Sequence, residues 1–202
     1  MAITNGYATL AEVKAALRIT DSVDDALLEM ATESASRLVD GYACRQFYSS
    51  GSATRYFVAQ DDYIVEVDDL AGTAVTIQTA QDADGVFDTT WDTDDYQLEP
   101  LNQVLDGIGW AFTVIRAVGD YLWPISGGEA LIKVTGPFGR PAVPIAIKQA
   151  TIIQASRIFK RLDSPLGIAG FGADLGAIRV STQLDPDVAQ LVMPYKRMRN
   201  FA

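Results

Sequence analysis

Carboxylates are the only chemistry this sequence offers in quantity. It has 26 Asp and Glu, no histidine and one cysteine, Cys44. Histidine is the usual general base near neutral pH and the commonest nitrogen ligand for metals. Its absence removes Ser-His-Asp triads, Cys-His pairs and histidine-containing zinc sites together. One cysteine excludes an all-cysteine zinc site and an internal disulfide, and it fits a reducing compartment. The doublets Asp61-Asp62, Asp68-Asp69 and Asp94-Asp95 could supply paired acids for glycoside cleavage or for magnesium. Adjacent acids in a strand point to opposite faces, so turn solvation is the better reading of each doublet.

Other motif fragments fail on spacing. Asp82-Ala83-Asp84-Gly85 resembles the start of a calcium loop, but Ala80 and Trp91 then fall where ligands are required, and the spacing fits a hairpin turn. Gly170-Phe171-Gly172-Ala173-Asp174-Leu175-Gly176 has one residue too many for a dinucleotide fingerprint and follows a helix instead of a strand. Ser126 has Pro124 where a nucleophile elbow needs glycine. Cys44, with no histidine to activate it, reads as a small buried residue. Trp91, Trp110 and Trp123 could stack on sugars or bases, but they read first as core.

The elements carrying these residues follow from periodicity. The chain has 202 residues, 49% hydrophobic and 21% charged, an ordinary globular mixture. No run approaches the ~20 apolar residues of a membrane helix, and Met1–Gly6 lacks the pattern of a signal peptide. Thr9-Leu10-Ala11-Glu12 is a capping box that opens a short helix to about Leu17. A second helix runs from about Asp24 to Tyr42. Leu27, Met30, Ala31, Ala35, Leu38 and Tyr42 form its expected buried stripe. Between Phe47 and Pro137 come β-branched and aromatic runs: Arg55–Val58, Tyr63–Val67, Val75–Thr79, Ala111–Ile115 and Ala130–Val134. They predict a small antiparallel domain of five to seven strands. A long helix follows from about Pro144 to Leu162, with Ile145, Ile152, Ala155, Phe159 and Leu162 on one face. A helix so apolar needs other helices around it, and the N-terminal pair is the obvious partner. Beyond it, Gly167–Gly176 reads as a mobile loop, Ala177–Ser181 as a lone strand, and Asp185-Pro186 as the cap and first turn of a short helix.

The expected fold class is therefore α+β: a helical bundle formed by both chain ends, with an inserted antiparallel β domain and an extended C-terminal tail. The boundaries are 1–46 for the N-terminal helical part, 47–137 for the β domain, 138–166 for the long helix and 167–202 for a docking tail.

Charge divides unevenly along the chain. Residues 1–139 hold seven Lys and Arg against 22 Asp and Glu, net −15, and residues 140–202 hold nine against four, net +5. An acidic body resists sticking to nucleic acid, while a basic tail suits an acidic partner.

The ordered set Thr9–Ile19, an Asp-rich turn, Asp24-Asp25-Ala26-Leu27-Leu28 and Ala35–Tyr42 resembles the opening of head-tail connector (adaptor) proteins of long-tailed bacteriophages. The exit Val134–Gly139 into Val143–Ala150 resembles that family's strand-to-helix junction. Arg161–Gly167 and the Asp185–Val188 helix resemble its ending. The resemblance covers both ends of the chain well and the β domain weakly.

What the resemblance implies is a structural virion protein without catalysis or cofactor. It would be made in the host bacterial cytoplasm and sit in the virion neck, as a dodecameric ring beneath the portal protein. That ring would extend the DNA channel and join the head to the next neck or tail-terminator protein. Genome DNA would pass through it without sequence-specific binding, and no membrane would be involved. The expected contact with the portal or a neighbouring subunit comprises Leu184, Val188, Leu191, Val192, Tyr195, Lys196, Arg197 and Arg199. The acids expected on the channel wall are Asp61, Asp62, Asp68, Asp69, Asp94 and Asp95. Two other classes remain open: a carbohydrate- or ligand-binding β module with tryptophan on an exposed face, and a carboxylate-only hydrolase.

Overall fold

The computed structural model describes residues 3–82, 84–105, 107–125, 127–161, 168–172, 176–179 and 184–197. The chain divides into two compact units. The first is built from residues 1–48 and 143–202, and the second from residues 49–142.

The first unit begins with α1, Leu10–Leu17. The Thr9 hydroxyl accepts the Glu12 N–H at 3.2 Å, and the Glu12 carboxylate accepts the Thr9 N–H at 2.8 Å, which satisfies two of the donors a helix start leaves open. Arg18, in the left-handed conformation, ends the helix. Helix α2 spans Asp25–Ala43, α3 spans Ile145–Lys160 and α4 spans Pro186–Val192. Asp185 caps α4 by accepting the Asp187 N–H at 3.0 Å, and Pro186 occupies its first turn.

Helix α2 buries a different face from the one its large residues mark out. Leu28, Ala31, Thr32, Ala35, Ser36, Val39 and Ala43 point inward, whereas Leu27, Met30 and Leu38 lie exposed. The inward face is mostly small, and α3 presents small or polar residues in return: Ala150, Thr151, Gln154 and Ala155 are all buried. The hydroxyls of Thr32 and Ser36 donate to the carbonyls of Leu28 and Thr32, at 2.7 and 2.8 Å, so they enter the interior satisfied. On α3, Ala155 of the expected face is buried and Ile152 and Phe159 pack against its cluster, whereas Ile145 is exposed, Ile147 is the fully buried isoleucine, and Leu162 lies outside the described residues.

Two clusters fill this unit. One joins Val13, Leu28, Ala35 and Ala155; the other joins Tyr7, Val39, Phe47, Ile147, Ala150, Val188 and Val192. The Tyr7 hydroxyl donates to Asp40 and accepts the Phe47 N–H at 2.8 Å, tying the N-terminal segment to both ends of the α2 turn-off.

The second unit holds two antiparallel sheets. Strands β1 (Ser52–Phe57), β3 (Thr76–Thr79), β4 (Thr89–Thr90) and β9 (Ile132–Pro137) pair in the order β1-β9-β3-β4. Strands β2 (Ile64–Leu70), β5 (Tyr96–Glu99) and β8 (Phe112–Ala117) pair as β2-β8-β5. A two-residue ribbon, β6 (Val104–Leu105) with β7 (Ile108–Gly109), completes it. All five runs anticipated from the sequence are strands. Val65 and Val67 of β2, Ile115 of β8, Ile77 of β3 and Val134 of β9 meet in one core with Phe138. Gly136 is required there, because a Cβ would sit 2.8 Å from Val75 Cγ1.

The segment read as a mobile loop and a lone strand is a hairpin. Strand β10 (Ile168–Gly172) pairs antiparallel with β11 (Gly176–Arg179). Of the dinucleotide-like glycines, Gly170 and Gly172 lie in β10 and Gly176 in β11; residues 173–175 and Ser126 lie outside the described residues.

The orientation of α2 is testable on two neighbouring residues. Leu28→Ala should cost about 2–5 kcal/mol, as deletion of a core leucine does. Leu27→Ala should stay within about 0.5 kcal/mol of the parent. Urea unfolding monitored by circular dichroism reads both; equal losses would place the wrong face inside.

Candidate interaction surface

Among the described residues no group of three or more acids, cysteines or histidines could hold a metal ion. The acid doublets serve as turn and sheet residues. Asp61 accepts the N–H groups of Tyr63 and Ile64 at 2.7 and 2.8 Å, which starts β2. Asp62 is exposed, and its carbonyl accepts the Trp123 N–H at 2.8 Å. Asp68 pairs with Arg55 at 2.6 Å on the outer side of β2. Asp69, next along the strand, points the other way and is buried at 5% exposure, so it is withdrawn as a wall residue. Asp94 is exposed in a turn, and Asp95 accepts the Asp92 N–H at 2.9 Å.

Trp91 and Trp123 stack face to face, 3.9 Å between centroids, and both are buried. The Trp91 indole N–H donates to the Thr79 hydroxyl at 3.1 Å. An open cleft of about 400 Å³ lies beside Trp91, lined by Trp91, Tyr121, Asp92, Asp95, Gln81 and Thr89. Tyr121 is half exposed and rests against Trp91 at 5.6 Å. Trp110 lies under the Arg140 guanidinium, 5.0 Å from the ring centre.

The C-terminal residues separate into two groups. Val188 and Val192 are fully buried in the core of their own unit, so they are corrected from contact residues to core residues. Leu184, Leu191 and Tyr195 pack partly against the same cluster, with Tyr195 edge-on to Phe47 at 5.9 Å. Asp185 pairs with Arg157 of α3, which locks α4 down. The Arg197 N–H donates to the Ala43 carbonyl at 2.9 Å, and the Lys196 ammonium lies 4.9 Å from the Tyr42 ring centre. This region exposes Pro186, Asp187 and Gln190 on α4, and Met193, Pro194 and Lys196 beyond it. Arg199 lies outside the described residues.

Three residues that periodicity assigned to the core form the other notable surface. Leu27, Met30 and Leu38 make a solvent-facing apolar line along α2, with exposures of 43, 55 and 47%, and Val23, just before the helix, is 86% exposed. The recurrence of the three at steps of three and eight was visible in the sequence. What was not visible is that a second, smaller-residue face takes the core.

Two acids in this unit are electrostatically displaced. Burial raises the Asp40 carboxyl from 3.8 to about 6, against the opposing pull of the Tyr7 hydroxyl and Arg37. Burial, then the hydrogen bond to Asp40, pushes the Tyr7 phenol well up. Hydrogen bonding by Lys148 (2.8 Å) and by the Thr9 N–H lowers Glu12 from 4.5 to about 2.

Caps, ion pairs and aromatic packing engage many of the charged groups, and the outward features described above are apolar or mixed surfaces. The model of the phage gp6-like head-tail connector protein family matches residues 7–81, which run from Tyr7 through α1, α2 and β1 to β3. The fold is similar over the whole chain to a protein in the neck of an empty gene transfer agent particle computed with C6 symmetry. That match has 19% identity and a TM-score of 0.59, and it covers 100% of this chain and 95% of that one. It is similar also to a protein in the neck of the native particle computed with C12 symmetry, at 17% identity and TM-score 0.57, covering 100% and 94%. A third match is in the virion of the native particle, at 21% identity and TM-score 0.57, covering 100% and 95%. No curated protein sequence matches. The family model covers the first part of the chain and the likeness to neck proteins is one of fold; no described helix is long and apolar enough to cross a membrane.

The displaced acids predict two separate pH windows. Folded Asp40 holds its proton more tightly than the unfolded chain does, so its contribution is complete below about pH 4 and is lost as pH rises through 6. Glu12 acts oppositely, and its contribution is lost as pH falls from 4.5 towards 2. Asp40→Asn should flatten the upper decline and Glu12→Gln part of the lower one. Urea midpoints across a pH series read both; an unchanged slope between pH 4 and 6 in Asp40→Asn would contradict the assignment.

Proposed function

We propose that this chain is a head-tail adaptor that forms a ring beneath the portal of a DNA-filled head, extends the DNA channel and presents the next neck or tail component with a docking surface. The observation that carries this reading is the connector-family match over residues 7–81. It falls on the capped α1, the α2 helix and the first strands. The likeness to virion neck proteins over the full chain supports it, and so does the use of the ionisable groups in capping and packing. The acid-rich second unit supports passage without adhesion. Between Gln46 and Thr135 it carries 15 acids against three bases, a surface that DNA phosphates would not settle on. On this reading Asp61, Asp62, Asp68 and Asp94, all exposed, are the acids available to a channel wall.

Light scattering of the purified chain, alone and mixed with the portal ring of the same virion, tests the proposal. A co-complex heavier than the portal by several subunits of 21.8 kDa is expected. A chain that ignores the portal would overturn it.

One observation favours a second reading, a carbohydrate-binding module: the cleft over Trp91, with half-exposed Tyr121 beside Asp92 and Asp95. Aromatic faces flanked by carboxylates suit sugar rings. A glycan screen of the chain and its Tyr121→Ala variant decides it. A hit lost in the variant supports that reading, and an empty screen removes it.

A further inference from the structure

The apolar line on α2 stands at a distinctive place. At 100° per residue, Leu27, Met30 and Leu38 fall within about 80° of one another on the helix surface, and exposed Val23 stands just before the helix. Scattered single apolar residues are ordinary on a protein surface, but an aligned series marks a contact site. Asp21 and Asp24 stand at its start, where α2 begins.

The opposite end of α2 carries the complement. Lys196 lies over Tyr42, and exposed Met193 and Pro194 stand beside it. From Leu27 to Tyr42 is fifteen residues of helix, about 22 Å. The first unit therefore bears an apolar and acidic patch at one end of α2, and an apolar and basic patch at the other. The acidic patch cannot pair with its own copy without setting carboxylate against carboxylate. The two different patches match in both apolar character and charge. A contact between unlike patches repeats head to tail, and closes into a ring when the rotation allows.

We infer that Val23, Leu27 and Met30, with Asp24 beside them, receive Met193, Pro194 and Lys196 of a second copy of this chain. The inference rests on the connector reading for ring closure, and it names the surface that reading leaves open.

The test compares the full-length chain with four sets of variants: Leu27→Glu with Met30→Glu, Met193→Glu, the single changes Asp24→Lys and Lys196→Asp, and those last two combined. Each is weighed by light scattering and sedimentation, alone over a concentration series and on portal rings. Circular dichroism and urea midpoints confirm that these surface changes leave the fold intact. The parent should load many copies per portal, and each patch variant should load about tenfold more weakly, as loss of a contact anchor does. The combined charge swap should recover most of what either single change loses. Variants that load like the parent overturn the inference and leave the connector reading standing. A swap that restores nothing overturns it too, because the two residues then do not face each other. A parent chain that stays at the mass of one subunit, alone and with the portal, overturns both.

Discussion

The first unit depends on the close approach of α2 and α3. These helices form the most extensive helix pair in the protein, and the residues between them are small: Ala31, Thr32, Ala35 and Ser36 on one side, Ala150, Thr151 and Ala155 on the other. Small side chains let helix backbones come near, so dispersion between many atoms does the work that large side chains do elsewhere. The cost is that hydroxyls go inside, and α2 meets it by bonding Thr32 and Ser36 to its own backbone carbonyls. Much else follows. Helix α1 covers one end of the pair through Val13, and α4 covers the other through Val188 and Val192. Val13 and Leu28 meet locally, but residues more than a hundred apart in sequence must meet before this core is complete.

That constraint explains what the sequence could and could not reveal. Capping chemistry is local, so Thr9-Leu10-Ala11-Glu12 and Asp185-Pro186 located α1 and α4 within a residue or so. Runs such as Tyr63–Val67 and Ala130–Val134 announce strands by composition, and β2 and β9 stand there. Strand β5 escaped notice because Tyr96-Gln97-Leu98-Glu99 lies between an acidic turn and a proline, and only its pairing with β8 makes it a strand. The hairpin of β10 and β11 escaped for the same reason: glycines read as a loop until each strand supplies the other's partners. Helix α2 departs further from expectation. Of the stripe that periodicity marks, Ala31 and Ala35 are buried but Leu27, Met30 and Leu38 are exposed, and the core takes Leu28, Thr32, Ser36 and Val39 instead. A helix with two apolar faces has two burial partners to find, and one sequence cannot say which is its own chain.

The candidate surfaces were legible in proportion to how far they depend on folding. Of the residues expected at a C-terminal contact, Lys196 is exposed, whereas Val188 and Val192 are buried by docking that is long-range in sequence. The acid doublets were rightly placed in turns and on opposite strand faces from spacing alone, since the strand period of two decides that locally.

An exposed apolar line is a liability for a protein that must remain dispersed until it meets its assembly site. Here it is offset by charge. At net −10 the chains repel at a distance, and the repulsion is screened within about 8 Å at physiological ionic strength. A contact that joins unlike patches at opposite ends of α2 is effective only where copies are already held side by side. Held that way, each new contact gains from a high effective concentration instead of overcoming free diffusion. On the connector reading, a symmetric ring of docking sites supplies that arrangement. Weak pairwise contact and strong assembled contact are then the same interaction at two effective concentrations, and the sequence needs no separate switch to move from one to the other.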